Sequence, residues 1–270
     1  MFARRAEVQA ARAADKAGIP FVESTVSICG IEEVADAKST PPWFQLYVMR
    51  DRSFAEGLMA EAEEAGAPVL VLTIDLPVLG ARHRDTRNAT VGQFSKWAKF
   101  RRTLDLLSHP GWWVDVPVKG KPLTFRNLAK AVPGGRTPED FKACVDSQFD
   151  PSVTWEDIAW VREHWKGKVV VKGVLDPEDG RRARDAGVDG LIVSNHGGRQ
   201  LDSVPSTATA LPGIAEAVGD DIDVLSDGGV RTGLDVVKMM SLGAKAVSYT
   251  HLRAHETVLD LVCRLLLEKK

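Results

Sequence analysis

The chain is poor in cysteine, in long apolar runs and in any surplus of charge, and each shortage narrows what it can be. Three cysteines, Cys29, Cys144 and Cys263, occur in 270 residues. They are far apart and in no metal-ligand spacing. This argues against a disulfide scaffold or a cysteine-built metal centre and suits a reducing, cytoplasmic setting. No apolar stretch approaches the ~18 residues of a membrane span; the best, Ala67 to Ile74, is long enough only for a buried strand. Lys and Arg number 35 against 37 Asp and Glu, a net charge of -2, which gives no general reason to expect nucleic acid or an anionic membrane as partner. With 44% hydrophobic and 27% charged residues, the chain has the composition of a folded domain rather than a disordered one. The first stretch, Met1 to Gly18, contains Arg4, Arg5 and Arg12 but also Glu7 and Asp15. It reads as an amphipathic helix with Val8, Ala11 and Ala14 on one face, not as a transit peptide.

What is present is a rhythm. Short apolar runs begin near residues 20, 43, 69, 169, 190, 223 and 246, and helical stretches alternate with them. Several of those stretches stop at a glycine, as at Gly66, Gly187 and Gly243. The run Val69 to Ile74 has Val and Leu on both faces, as strands of a parallel sheet covered by helices do. This βαβα order predicts an α/β fold with a parallel sheet. A closed (β/α)8 TIM barrel needs eight strands and a doubly wound sheet is the alternative. Polar residues at the ends of the runs favour the barrel, because barrel active sites are built from strand C-termini: Ser24, Gln45 and Tyr47, Thr73 and Asp75, Lys172, Asn195 and His196, Asp227. Gly80 to Lys166 breaks the rhythm as a long insertion containing Trp97, Trp112, Trp113, Trp155 and Trp160. Loops this long are usually functional or mobile; a small subdomain is one reading, and a lid or a membrane-touching flap is the other. The mixture of Phe94, Trp97, Phe100, Leu104, Leu106, Leu107, Trp112 and Trp113 with Lys96, Lys99, Arg101 and Arg102 suits an interfacial segment.

The densest chemistry is Ser194-Asn195-His196-Gly197-Gly198-Arg199-Gln200-Leu201-Asp202. His196 is a proton acceptor near neutral pH, Arg199 a two-pronged carboxylate clamp, and the glycines permit close backbone approach and positive φ. Base plus clamp points to a substrate with a hydroxyl beside a carboxylate; a structural turn with a surface His is the alternative. Lys172 inside an apolar strand is costly unless it meets an anion or a cofactor, although a strand-end Lys can also reach solvent. Asp227-Gly228-Gly229-Val230-Arg231-Thr232-Gly233 joins a strand to a helix, where backbone N–H groups and Arg231 suit an anion; a plain tight turn is the alternative. Asp75 would orient the imidazole, or else serve as a helix cap or a partner for Arg82 or Arg84.

Taken together, the Ser194–Asp202 run and the ordered motifs Trp43-Phe44-Gln45-Leu46-Tyr47-Val48, Leu175-Asp176-Pro177-Glu178-Asp179 and Gly233-Leu234-Asp235-Val236-Val237 resemble the FMN-dependent α-hydroxy acid dehydrogenases and oxidases, most of all their bacterial respiratory L-lactate branch. The resemblance runs from residue 1 to about Val247. It implies FMN as cofactor and oxidation of an L-2-hydroxy acid, L-lactate to pyruvate first, with electrons passed to a membrane quinone or cytochrome. An oxygen-using oxidase, a mandelate- or glycolate-type enzyme and an inactive barrel fragment are the alternatives. Position by position it implies His196 as the base and Asp75 as its partner; Tyr47, Arg82 and Arg199 on the substrate; Ser24, Gln45, Thr73 and Lys172 around the flavin ring; and Asp227, Gly228, Gly229 and Arg231 on the ribityl phosphate. No metal is implied. A homo-oligomer in the full-length parent and peripheral contact with the inner face of a bacterial plasma membrane are implied partners.

Two departures from the family pattern shape the fold expected. A leading segment of the family, carrying its first barrel strand, has no counterpart here, so the barrel is expected to be incomplete, with two open sheet edges. After Val247 the pattern fails: residues 248–270, beginning Ser248-Tyr249-Thr250-His251, are expected to be a non-family tail of adapter-derived origin. Val258, Leu259, Leu261, Val262, Leu265 and Leu266 have helical spacing all the same. His251 and His255 stand at i, i+4 but lack a third ligand.

Overall fold

In the computed structural model the described residues are 3–76, 80, 83, 96–120, 124–132, 144, 147–249 and 260–263. The chain runs α1 (Ala6–Lys16), β1 (Phe21–Ser24), α2 (Ile31–Ala35), β2 (Trp43–Tyr47), α3 (Arg52–Glu64), β3 (Val69–Thr73), α4 (Lys96–Leu107), α5 (Pro110–Trp113), α6 (Glu156–His164), β4 (Lys168–Val174), α7 (Pro177–Asp185), β5 (Gly190–Val193), α8 (Thr207–Val218), β6 (Asp223–Ser226), α9 (Gly233–Ser241), β7 (Ala246–Tyr249) and β8 (Asp260–Cys263). Strands β1 to β7 are parallel neighbours in sequence order. They form a (β/α)8-type TIM barrel that is one parallel strand short. Local chemistry sets the helix starts: Asp51, Asp176, Ser206 and Thr232 each accept a backbone N–H from the first turn of α3, α7, α8 and α9.

The open edges expected from the sequence are covered. β8 lies antiparallel between β7 and β1, pairing Val247 with Cys263 and Phe21 with Leu261, and closes the barrel. The helical spacing in this part of the tail is therefore overruled at Asp260–Cys263, which is extended. Two rows of unpaired backbone donors and acceptors are a template for any extended segment of the chain, and satisfying them outweighs local helical periodicity. His251 and His255 lie outside the described residues.

Alternation along each strand divides the core. Phe44, Leu46, Leu70, Leu72, Val169, Val171, Leu191, Val193 and Val224 belong to the large cluster shared with helix residues such as Leu58, Met59, Ile158, Trp165, Leu211 and Ile214. Val22, Val69, Val71, Val170, Ile192, Leu225 and Ala246 form a separate cluster, the plug inside the barrel. Each strand moves up by two residues to present its next inward side chain. One step above the plug these are Ser24, Gln45, Thr73, Lys172, Ser194, Asp227 and Ser248, all polar and all buried. The barrel is thus dry below and polar at its C-terminal mouth.

α1 packs Val8, Ala11 and Ala14 over Phe21, Cys29 and Val34. Under it lie two buried carboxyls. Glu7 accepts from Ile28 N (3.0 Å) and from the Cys29 thiol (3.3 Å). Glu23 is fully buried. Burial drives its carboxyl well above the usual range; the Ser27 hydroxyl opposes this in part and the Glu7 carboxylate adds to it. A group whose pKa is raised by folding costs stability as pH rises above its ordinary value, because the unfolded chain ionises first. Glu23→Leu should therefore stabilise the chain by roughly 1–3 kcal/mol at pH 8, with the gain shrinking as pH falls toward the ordinary glutamate range. Urea unfolding across pH 4–8 measures it; a gap that does not change with pH would show that the carboxyl is not the cause.

Candidate active site at the barrel mouth

The site is assembled by strand ends. β1, β2 and β3 lie side by side with Ser24 opposite Gln45 and Tyr47 opposite Thr73. The Ser24 hydroxyl donates to Gln45 Oε1 (3.0 Å), and Gln45 Nε2 donates to Thr73 Oγ1 (2.9 Å). A buried, directional polar chain thus crosses three strands. Tyr47 stands one inward step above Gln45, 6% exposed, its ring 5.0 Å from that of Phe149.

Across the mouth, β4 carries a bulge. Its register against β5 shifts between Lys172 and Val174, and Gly173 there has φ +114°. A Cβ on Gly173 would come within 2.6 Å of Asp75 Cβ, so only glycine lets Asp75 lie against the strand. Lys172 Nζ donates to Ser194 Oγ (3.1 Å) and stands 3.4 Å from Asp227 Oδ2 and 3.8 Å from Asp75 Oδ2. His196 Nδ1 lies 2.8 Å from Asp75 Oδ1. Burial alone would raise the Asp75 carboxyl, but the Lys172 ammonium and the His196 contact together hold it below the usual carboxylate range.

The loop after β5 is wound tightly. His196, Gly197 and Gly198 all have positive φ, 54°, 65° and 67°. For a histidine this is a strained conformation, costing about 1–3 kcal/mol. It is over-determined by its surroundings: Ser194 Oγ accepts His196 N (3.1 Å), and Asn195 Oδ1 accepts Gly198 N (3.2 Å). Ser194 therefore fixes both the Lys172 ammonium and the His196 backbone, a role that sequence reading missed because the residue looks like an ordinary strand end. Gly173 was missed for the same reason. Arg199 follows, partly buried, and Gly80 is packed so closely that a Cβ there would meet Arg199 O at 2.1 Å. Arg82 lies outside the described residues.

The β6–α9 turn has Gly228 and Gly229 at φ 87° and 75°, with Arg231 exposed beside them. The N–H groups of Arg231 and Thr232 both donate to Asp235 Oδ2 within the α9 capping box. Those two amides are engaged, so an anion here would be held by the glycine backbone and the Arg231 guanidinium. Nothing lies within 4 Å of a Cβ built on Gly229, which leaves a bare backbone open to a ligand. The mouth therefore offers what a flavin mononucleotide needs: a buried amide and hydroxyl row for a polar ring edge, an ammonium for ring charge, and an open glycine-arginine turn for phosphate.

Comparison with known proteins bears on the family and the fold. The family described as FMN-dependent dehydrogenase matches residues 1–254. An L-lactate dehydrogenase of Caulobacter sp. (strain K31) is 54% identical over 247 residues, 92% of this chain and 64% of that protein. One from Yersinia pestis (strain Pestoides F) is 53% identical over the same shares. The chain thus spans 64% of the length of these curated relatives. Among solved structures, the monotopic membrane protein (S)-mandelate dehydrogenase superposes with TM-score 0.80 at 40% identity, over 89% of this chain and 62% of that one. Mandelate oxidase with (S)-4-hydroxymandelic acid gives 0.71 at 38% identity, over 89% and 61%.

Proposed function

We propose, since this chain belongs to the FMN-dependent dehydrogenase family, that it carries the catalytic barrel of an enzyme oxidising an L-2-hydroxy acid, L-lactate, to the 2-oxo acid. The observation that carries the reading is the His196–Asp75–Lys172 constellation facing the Ser24–Gln45–Thr73 row across one buried mouth. FMN, when bound, supplies the two-electron acceptor. Ser24, Gln45 and Thr73 would meet its ring edge, Lys172 its ring charge, and Asp227, Gly228, Gly229 and Arg231 its ribityl phosphate.

The proton chemistry follows from charge and tautomer. Asp75, held ionised, only accepts hydrogen bonds, so His196 Nδ1 carries the hydrogen between them and Nε2 is left as the basic atom. Oxidation of a hydroxy acid to an oxo acid releases two electrons and two protons; His196 Nε2 takes one of those protons, and the two electrons together with the other would pass to bound FMN. Asp75 and Asp227 against Lys172 leave one formal negative charge in this buried group. An imidazolium formed at His196 would face that charge through its contact with Asp75. Arg199 and Arg82 would clamp the substrate carboxylate and Tyr47 its polar groups. The test is direct: the chain reconstituted with FMN is mixed anaerobically with L-lactate, with (S)-mandelate as the comparison. Bleaching of the flavin band by L-lactate is expected. No flavin uptake, or bleaching by mandelate alone, would overturn the reading.

The electron acceptor belongs to the same proposal: a membrane quinone or cytochrome, reached from the membrane surface. On α4, Trp97, Phe100, Leu104 and Leu107 are 67%, 52%, 51% and 61% exposed. They recur at i, i+3, i+7 and i+10, a single apolar stripe, with Lys96, Arg101 and Arg102 exposed beside it. Trp97 and Phe100 stack at 5.6 Å. Among the described residues no helix is long and apolar enough to cross a membrane. A surface helix of this composition lies in the interface plane. Trp97→Ser with Phe100→Ser should lower partitioning onto anionic vesicles roughly tenfold or more. Unchanged co-sedimentation would remove the membrane from the proposal.

A further inference from the structure

We propose that Asn127, delivered by the long chain segment between β3 and β4, is a positioning residue for Ser24 and hence for the flavin edge. The inference rests on the reading above, in which Ser24 meets the FMN ring.

The segment 124–132 reaches the top of the barrel from about a hundred residues away in sequence and is firmly seated there. Leu128 is 1% exposed and shares a core cluster with Ile31. Arg126 pairs with Glu32 at 3.2 Å, and Lys130 pairs with Glu61. Between these anchors Asn127 is only 3% exposed. Its Nδ2 donates to Ser24 O and to Ser27 Oγ, both at 3.1 Å, and its Oδ1 accepts from Ile31 N at 3.3 Å.

Each of these bonds answers a local need. Ile31 is the first residue of α2, so its N–H has no partner within the helix. The residue at the cap position is Gly30, which makes no side-chain cap bond. Asn127 supplies the missing acceptor from 96 residues away. Ser24 is the last residue of β1, where the ladder ends, and Asn127 holds its carbonyl. One amide therefore ties the end of β1 to the start of α2, across the loop that leaves the barrel mouth. The Ser24 hydroxyl is fixed from the other side, accepting Val26 N (3.1 Å) and donating to Gln45. The backbone of Ser24 thus depends on Asn127, and the direction of its hydroxyl depends on that backbone.

Two variants separate the bonds. Asn127→Leu removes all three at similar volume. Asn127→Asp is nearly isosteric; it retains an acceptor for Ile31 N but turns a carboxylate oxygen toward the Ser24 carbonyl. Amide hydrogen exchange of the flavin-free full chain reads the clamp, and FMN titration by fluorescence quenching reads its consequence. In the Leu variant the Val26 and Ile31 amides should exchange at least roughly tenfold faster, while those of β4 and β5 keep their protection. FMN should bind roughly tenfold more weakly, and at saturation its absorption band should shift from that of the unsubstituted chain. In the Asp variant Ile31 should stay protected while Val26 loosens and FMN weakens to a similar degree. If the Leu variant does not fold, the Asp variant carries the test. Unchanged protection at Val26 in both variants overturns the proposal, as does a looser loop with unchanged FMN affinity and spectrum. A loss of protection spread evenly over β4 and β5 also overturns it, since that marks a merely structural role. If the unsubstituted chain takes up no FMN, the flavin reading has failed and the proposal for the flavin edge falls with it, whereas the exchange data still decide whether Asn127 clamps the loop.

Discussion

Replacing His196 with Gln is expected to slow flavin reduction by L-lactate about 100- to 10,000-fold, the usual contribution of a positioned base. FMN affinity should hardly change. The amide retains a donor toward Asp75 Oδ1, so the 2.8 Å contact has a substitute and the loop keeps its shape, but no basic atom is left where Nε2 stood. Asp75 is held below the usual carboxylate range by Lys172 and His196 in spite of its burial, so it remains an ionised acceptor for the donor at position 196 in both the parent and the Gln variant. Arg199→Lys should behave differently. A lysine cannot give the two-pronged carboxylate contact, so the lactate concentration needed for half-maximal reduction should rise. Stopped-flow absorbance at the flavin band, over a range of lactate concentrations, measures both. Equal loss of limiting rate in the two variants, with no change in half-saturation, would show the two roles to be wrongly assigned.

Much of this site was legible in the sequence because parallel strands of a barrel share a direction. Once the runs at Val22, Val71, Val170, Ile192 and Leu225 are set as the plug, adding two to each number gives Ser24, Thr73, Lys172, Ser194 and Asp227 at the mouth. Period-two alternation is local, so a sequence carries it openly. What escaped depends on contacts that no local pattern encodes. Asn127 sits in a stretch without periodicity and acts on residues about a hundred positions away. Glu23 lies in a strand that reads as apolar, and its burial under α1 follows from packing, not from its neighbours in sequence. The closing strand Asp260–Cys263 has helical spacing and is extended because two sheet edges face it. In each case a long-range partner decides what local propensity leaves open.

Gly173→Ala is expected to be among the costliest single-methyl changes in the molecule. Two separate terms act. The backbone at φ +114° lies outside the regions an L side chain adopts, which costs about 1–3 kcal/mol. The new Cβ would also stand 2.6 Å from Asp75 Cβ, 2.9 Å from its Cγ and 3.0 Å from its N. Part of that contact is backbone, so a rotamer change does not relieve it, and overpacking of this kind costs about another 1–3 kcal/mol. Gly187 supplies the control. Its φ is +84°, yet nothing lies within 4 Å of an added Cβ, so Gly187→Ala carries the backbone term alone. Urea unfolding should therefore place Gly173→Ala roughly 2–6 kcal/mol below the parent and Gly187→Ala within about 1–3 kcal/mol of it. The chemistry should separate them as well. The least costly relief at residue 173 is to push Asp75 away from the strand, which lengthens its 2.8 Å contact with His196 Nδ1 and leaves the imidazole without the partner that fixes its tautomer. Lactate-driven flavin reduction should then fall in Gly173→Ala even at temperatures where the variant is fully folded, and stay near the parental rate in Gly187→Ala. Equal stability of the two variants, or a normal reduction rate in folded Gly173→Ala, would show that the bulge in β4 does not hold Asp75 in place.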